Sequence, residues 1–101
     1  MSVRRHAELS TNIGPQPALL DTLGWVKYHQ GAFPESQVLL QKAAERAPKS
    51  SVILYHLGMA QLRAGDRTGA RKNLESALAA NANFQDAADA RNALASLAGP
   101  G

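Results

Sequence analysis

The stretch from Leu20 to Ala44 returns as Leu54 to Leu78, 34 residues later. Leu20/Leu54, Leu23/Leu57, Gly24/Gly58, Gly31/Gly65, Leu40/Leu74 and Ala43/Ala77 are identical pairs, and Leu19/Ile53, Val26/Ala60 and Ser36/Ala70 are similar ones. The matches fall on small and apolar positions at helical spacing, and a glycine punctuates each copy at the same place. Self-similarity at this period marks stacked helix–turn–helix units, each of which buries its apolar face only against its neighbours. The pattern fixes an all-α architecture before composition is considered.

Read along the chain, the period predicts about five helices. Residues 1–17 carry little pattern and form a poorly ordered lead-in or the remnant of a preceding repeat. Asn12-Ile13-Gly14-Pro15-Gln16-Pro17 reads as a loop, because prolines and a glycine interrupt helical hydrogen bonding. The first helix runs from about Ala18 to Gln30 behind Pro17, which needs no N–H there. Leu19, Leu20, Leu23, Val26 and the stem of Lys27 give it a broad apolar face. Gly24 inside it costs about 1 kcal/mol against alanine, which signals close approach of another helix. Gly31 ends it.

The second helix spans about Pro34 to Ala47, with Ser36, Leu39, Leu40, Ala43 and Ala47 inward, and Pro48 stops it. Ser50 and Ser51 offer caps for a third helix from Val52 to Ala64. Asp66 caps a fourth from Arg67 to Ala80, with Ala70, Leu74, Ala77 and Leu78 inward. Asn83 and Asp86 outline a capping box for a fifth helix, residues 84–98, which turns Phe84, Ala87, Ala88, Leu94 and Leu97 inward. Residues 99–101 are a flexible tail. The first and third helices are apolar on more than one side, whereas the fifth is polar on one. That is the pattern of a stack whose inner helices have two neighbours and whose last helix closes it.

Composition narrows the function classes. The chain of 101 residues has no cysteine, so disulfides and cysteine metal sites are excluded. The net charge of +3 comes from interspersed basic and acidic residues, a balance that serves solubility more than nucleic-acid binding. Arg4 and Arg5 precede no apolar run, which argues against a signal peptide in this chain, and no stretch is long enough for membrane insertion. The compartment stays open: soluble, cytoplasmic, or part of a larger exported protein.

The first copy carries Leu23-Gly24, Gly31, Phe33, Ser36, Leu40, Ala43 and Pro48; the second carries Leu57-Gly58, Gly65, Ala70, Leu74 and Ala77. On these residues, 18–51 and 52–85 resemble two tetratricopeptide repeats, and residues 84–98 look like the helix that closes such arrays. Copy two departs at Arg67, where the family has an aromatic, and at Ala82, where it has the closing proline. Lys27 and Gln61 stand where it often has tyrosine. The resemblance implies an α-solenoid of antiparallel helix pairs wound into a right-handed superhelix. It also implies a concave face, made by the first helix of each pair, that holds a peptide or partner protein. The run Asp21-Thr22-Leu23-Gly24-Trp25 is similar to repeats in large bacterial envelope and exopolysaccharide-associated members.

Candidate site residues follow from spacing. Asp21, Trp25, Tyr28 and His29 share one face of the first helix at i, i+4, i+7 and i+8. Tyr55, Met59, Leu62 and Arg63 hold the equivalent places on the third, so stacking joins both sets into one groove. Aromatic, methionine and arginine side chains are those that partner surfaces favour. The competing reading is that Trp25 and Tyr28 pack as core against a neighbouring repeat or residues 1–16. Some family members grip a terminal carboxylate with Lys and Asn at these places. Here Asp21 and Tyr55 stand at the lysine positions and Trp25 and Met59 at the asparagine positions, which disfavours that clamp. A partner with apolar or aromatic anchors fits better, with an acidic group for Arg63.

Other chemistries find little support. His6, His29 and His56 lack metal-ligand spacing, and solvated or groove-lining histidines are the expectation, although stacking could bring His29 and His56 together. Ser36, Ser50, Ser51 and Ser76 have no nucleophile-elbow context. No cofactor, metal or catalytic site is expected. The basic cluster Arg63, Arg67, Arg71 and Lys72 lacks the interleaved exposed aromatics that nucleic-acid binding calls for. The reading is a protein–protein interaction scaffold or adaptor that is not an enzyme. The alternative is a segment that self-associates through an apolar open edge on the first helix, as a structural repeat of a larger assembly or envelope protein.

Overall fold

A computed structural model describes residues 16–98 of the chain. Those residues form five helices and no strand: α1 (Pro17–His29), α2 (Phe33–Arg46), α3 (Ser51–Ala64), α4 (Arg67–Ala80) and α5 (Ala87–Ala98). Each packs against the next in the chain, and α1 also meets α3. The result is a solenoid of antiparallel helix pairs. The tail, and the lead-in up to residue 15, lie outside the described residues.

Local chemistry sets the helix ends. Pro17 opens α1 and Pro34 lies in the first turn of α2, where a missing N–H does no harm. Gly31 and Gly65 adopt φ of +81° and +97° to end α1 and α3, a left-handed conformation in which a side chain is strained. Ser50 accepts the Ile53 N–H at 3.3 Å and Asp66 accepts the Gly69 N–H at 2.9 Å, which caps α3 and α4 as their positions suggested. Ser51 is not a cap: it is buried, and its hydroxyl donates to the Ala77 carbonyl at 2.8 Å, pinning the start of α3 to the last turns of α4.

The fifth helix begins three residues later than the sequence suggests, at Ala87, and the Asn83–Asp86 capping box does not form. Instead Asn81 Oδ1 accepts the Asn83 N–H at 3.0 Å, so residues 82–86 are turns. Phe84 explains the delay. Its ring is buried 5.9 Å from that of Tyr55, and the turns drop it there before α5 starts. Ala87, Ala90, Ala93 and Leu97 form the buried stripe of α5; Ala88 is exposed.

The core is layered. Leu40, Leu57, Leu74 and Leu97 supply one fully buried leucine each from α2 to α5, each worth about 1.5–3 kcal/mol of transfer free energy. The two helix pairs close through the same contact. A Cβ on Gly24 would lie 2.6 Å from Leu40 Cγ, and one on Gly58 would lie 2.8 Å from Leu74 Cγ. Ser36 seals the first contact by donating to the Gly24 carbonyl at 2.7 Å. Only glycine lets the backbones come this near, which answers the helix-propensity cost seen in the sequence.

The α1 face departs from the expectation of two flanking neighbours. Leu19, Leu23 and Val26 are 53%, 46% and 47% exposed, whereas Ile53, Leu57 and Ala60, 34 residues on, are 6%, 1% and 0% exposed beneath α2. Lys27 sends its ammonium to Glu35 at 3.2 Å, a partly exposed pair of small energetic weight.

Gly58→Ala should therefore destabilise the fold by about 1–3 kcal/mol, because Leu74 has no room to move. Urea unfolding followed by far-ultraviolet circular dichroism measures this. An unchanged or raised midpoint would show that the close approach relaxes without cost.

Candidate partner-binding groove

The row of α1 and α3 side chains on one face of the solenoid meets around Trp25. Its indole stacks on Tyr28 with centroids 4.4 Å apart and on His56 at 3.8 Å, and it takes the edge of His29 at 4.9 Å. Tyr55 lies 6.0 Å away at a tilt. Tyr28 continues the cluster to Phe33, edge to face at 5.5 Å, and the Arg63 guanidinium stands 5.2 Å from the Phe33 ring centroid. Such ring pairs add roughly 0.5–1.5 kcal/mol each beyond their buried area, and the cation on Phe33 adds a comparable amount.

The eight residues expected in the groove have unequal access. His29 and Arg63 are exposed; Asp21, Trp25, Tyr28, Met59 and Leu62 are half-buried; Tyr55 is buried. Trp25 and Tyr28 are thus neither free nor core. One part of each packs into the aromatic cluster, and the rest meets solvent. Phe33 and Phe84, which the spacing rule did not select, belong to the same cluster. They sit at the start of α2 and in the turn before α5, outside the helix faces that the rule compares.

His56 is neither solvated nor at the groove surface: it is 8% exposed. Its Nδ1–H donates to Asp21 Oδ1 at 2.6 Å. A carboxylate only accepts, so the contact fixes the proton on Nδ1. His29 and His56 each touch Trp25, His29 at its edge and His56 on its face. Asp21 therefore does structural duty, bolting α1 to α3 beneath the indole, and one aspartate of the row is spent. Among the described residues, His, Asp and Glu make no group of three that faces a common point.

The Tyr55 phenol is pushed up from an ordinary 10 to about 12, first by burial and then by the Asp89 and Asp86 carboxylates and Tyr28. Asp86, in the turn after Phe84, and Asp89, in the first turn of α5, bring negative charge to one end of the candidate groove. Arg63 marks the other end. The basic cluster seen in the sequence is partly consumed: Arg67 and Arg71 both donate to the Leu97 carbonyl, at 3.2 and 3.1 Å. Those arginines hold the last turn of α5 against α4.

Two comparisons place this geometry among known proteins. The sequence model of a family described as tetratricopeptide repeat matches residues 27–97. The human protein named Tetratricopeptide repeat protein 34 is 43% identical over 47 residues, which are 46% of this chain and 8% of that protein. The match thus spans a small part of the relative's length.

Tyr55 gives the groove a measurable pH signature. Below pH 10 the phenol is protonated in folded and unfolded chains alike. Between about 10 and 12 the unfolded chain releases a proton that the folded chain keeps, so stability falls over that window. Urea midpoints of the wild type should fall more steeply there than those of Tyr55→Phe; parallel curves would refute the burial argument.

Proposed function

Because the chain belongs to the tetratricopeptide repeat family, whose repeats are generally protein–protein interaction modules, we propose that it is an interaction scaffold or adaptor. Its partner is a peptide or protein segment lying along the α1–α3 face. The residues 18–51 and 52–85 act as two repeats of the array, and α5 closes it. The carrying observation is the half-buried cluster of Trp25, Tyr28, Met59 and Leu62 with Arg63 exposed beside it. Apolar side chains that are held in place but not covered lose little entropy when a partner covers them. The family is typically non-enzymatic, and the arrangement offers anchors rather than a nucleophile with its base.

A partner with aromatic or aliphatic anchors fills the row over Trp25 and Met59. An acidic group fits at Arg63. The aspartate and tyrosine at the first groove position speak against capture of a terminal carboxylate. Nucleic acid fits less well, because Arg67 and Arg71 are turned to α5 and the far end of the groove is acidic.

A second reading rests on a separate observation, the exposed Leu19–Leu23–Val26 stripe. Its counterparts one period later lie under a helix. Self-association through this edge would bury it. Sedimentation of the wild type and Leu23→Lys tests it: a wild-type dimer that the lysine dissolves supports the reading, and a monomer mass independent of concentration ends it.

The groove itself is tested by affinity capture from source cells, with wild type beside a Tyr28→Ala, Arg63→Glu double variant whose helicity is unchanged. A protein retained by wild type and lost at least tenfold with the variant, and which shifts the emission of Trp25, is the expected outcome. Equal retention by both would move the interface off this face.

A further inference from the structure

The first groove position recurs with the period. Asp21, Tyr55 and Asp89 are spaced 34 residues apart and stand at equivalent places on α1, α3 and α5. Asp21 is spent on His56. Asp89 is exposed, Asp86 is half-buried, and neither has a cationic partner among the described residues. Tyr55 is 6% exposed, and its hydroxyl is not sealed from solvent, since no buried side-chain oxygen among the described residues is left without a partner. Phe84 brings the start of α5 against the Tyr55 ring, so the corner presents a reachable phenol oxygen beside two carboxylates, a set of acceptors with no cation of its own. The Tyr28 and Tyr55 rings supply negative π-faces nearby.

We propose that the corner formed by Tyr55, Asp86 and Asp89 receives a lysine or arginine side chain of an extended partner peptide, whose acidic residue reaches Arg63 at the opposite end. This deepens the groove reading and rests on it. The cation donates to the carboxylates and to the Tyr55 oxygen, and its aliphatic stem lies against the aromatic ring. Tyr55 and Arg63 are eight residues apart on α3, or about 12 Å at 1.5 Å per residue. An extended peptide covers that in about four residues. The groove then has a direction: cation at the α5 end, apolar anchors over Trp25 and Met59, acid at the α1–α2 turn. A membrane headgroup or nucleic-acid backbone would meet repulsion at the corner.

The test uses the full chain and a phage-displayed library of random decapeptides. Wild type is panned beside Asp86→Asn, Asp89→Asn, which keeps size and polarity, and beside Met59→Asp, which places a charge in the apolar row. All three are first shown to melt cooperatively. Wild type should enrich peptides with Lys or Arg about four residues from Asp or Glu, with an aromatic or aliphatic residue between. The double asparagine variant should lose the Lys/Arg preference and keep the anchor. The best peptide, titrated through Trp25 fluorescence, should bind that variant about tenfold more weakly. Replacing its lysine by norleucine should weaken wild-type binding equally and variant binding hardly at all. Anchored peptides with no cation preference, or a preference that the variant retains, would overturn the inference and leave the groove standing. No enrichment above that of Met59→Asp would overturn both.

Discussion

The structure depends on two places where a helix backbone comes within side-chain distance of its neighbour. Leu40 lies against Gly24 and Leu74 against Gly58 with no space for another methyl group. These contacts set the separation of α1 from α2 and of α3 from α4, and everything on the opposite faces of α1 and α3 inherits its position from them. If the pairs stood farther apart, α2 would no longer carry α3 to α1 at ring-stacking distance. The helix-breaking residue in the middle of each first helix is therefore a condition of assembly, since a weaker isolated helix gives a tighter pair.

On the other face, the joint between repeats is built from unlike parts. Below the surface, Asp21 and His56 share a proton-bearing contact between α1 and α3. Above it, Trp25 lies on His56 and Tyr28. The polar bond gives direction and the stacked rings give area, so the two helices resist both sliding and twisting. A surface stiffened in this way has little side-chain freedom left to lose.

Much of this was legible in the residues alone. The period, the glycine punctuation and the caps at Ser50 and Asp66 gave α1 to α4 within a residue of their observed ends. What escaped was whatever depended on one layer meeting the next. The late start of α5 follows from Phe84 dropping onto Tyr55, a contact between residues far apart in sequence. The burial of His56 and the loss of Asp21 to it are likewise contacts between helices, invisible to a rule that compares faces of single helices. Helical spacing sorts the candidate groove residues by face, but face says nothing of depth. Tyr55 and Met59 share a row, and only the packing of α5 separates a buried phenol from a half-open thioether.

The two arginines that reach from α4 to the Leu97 carbonyl have a consequence in time. Among the described residues α5 packs chiefly on α4, so its docking rests largely on that one interface. When α5 leaves, Asp86, Asp89 and the cover over Tyr55 leave with it, while the aromatic cluster around Trp25 persists. The acidic corner thus exists only for the dwell time of the docked helix. Arg67 and Arg71, although they touch neither Tyr55 nor its two aspartates, hold the helix that keeps these groups together.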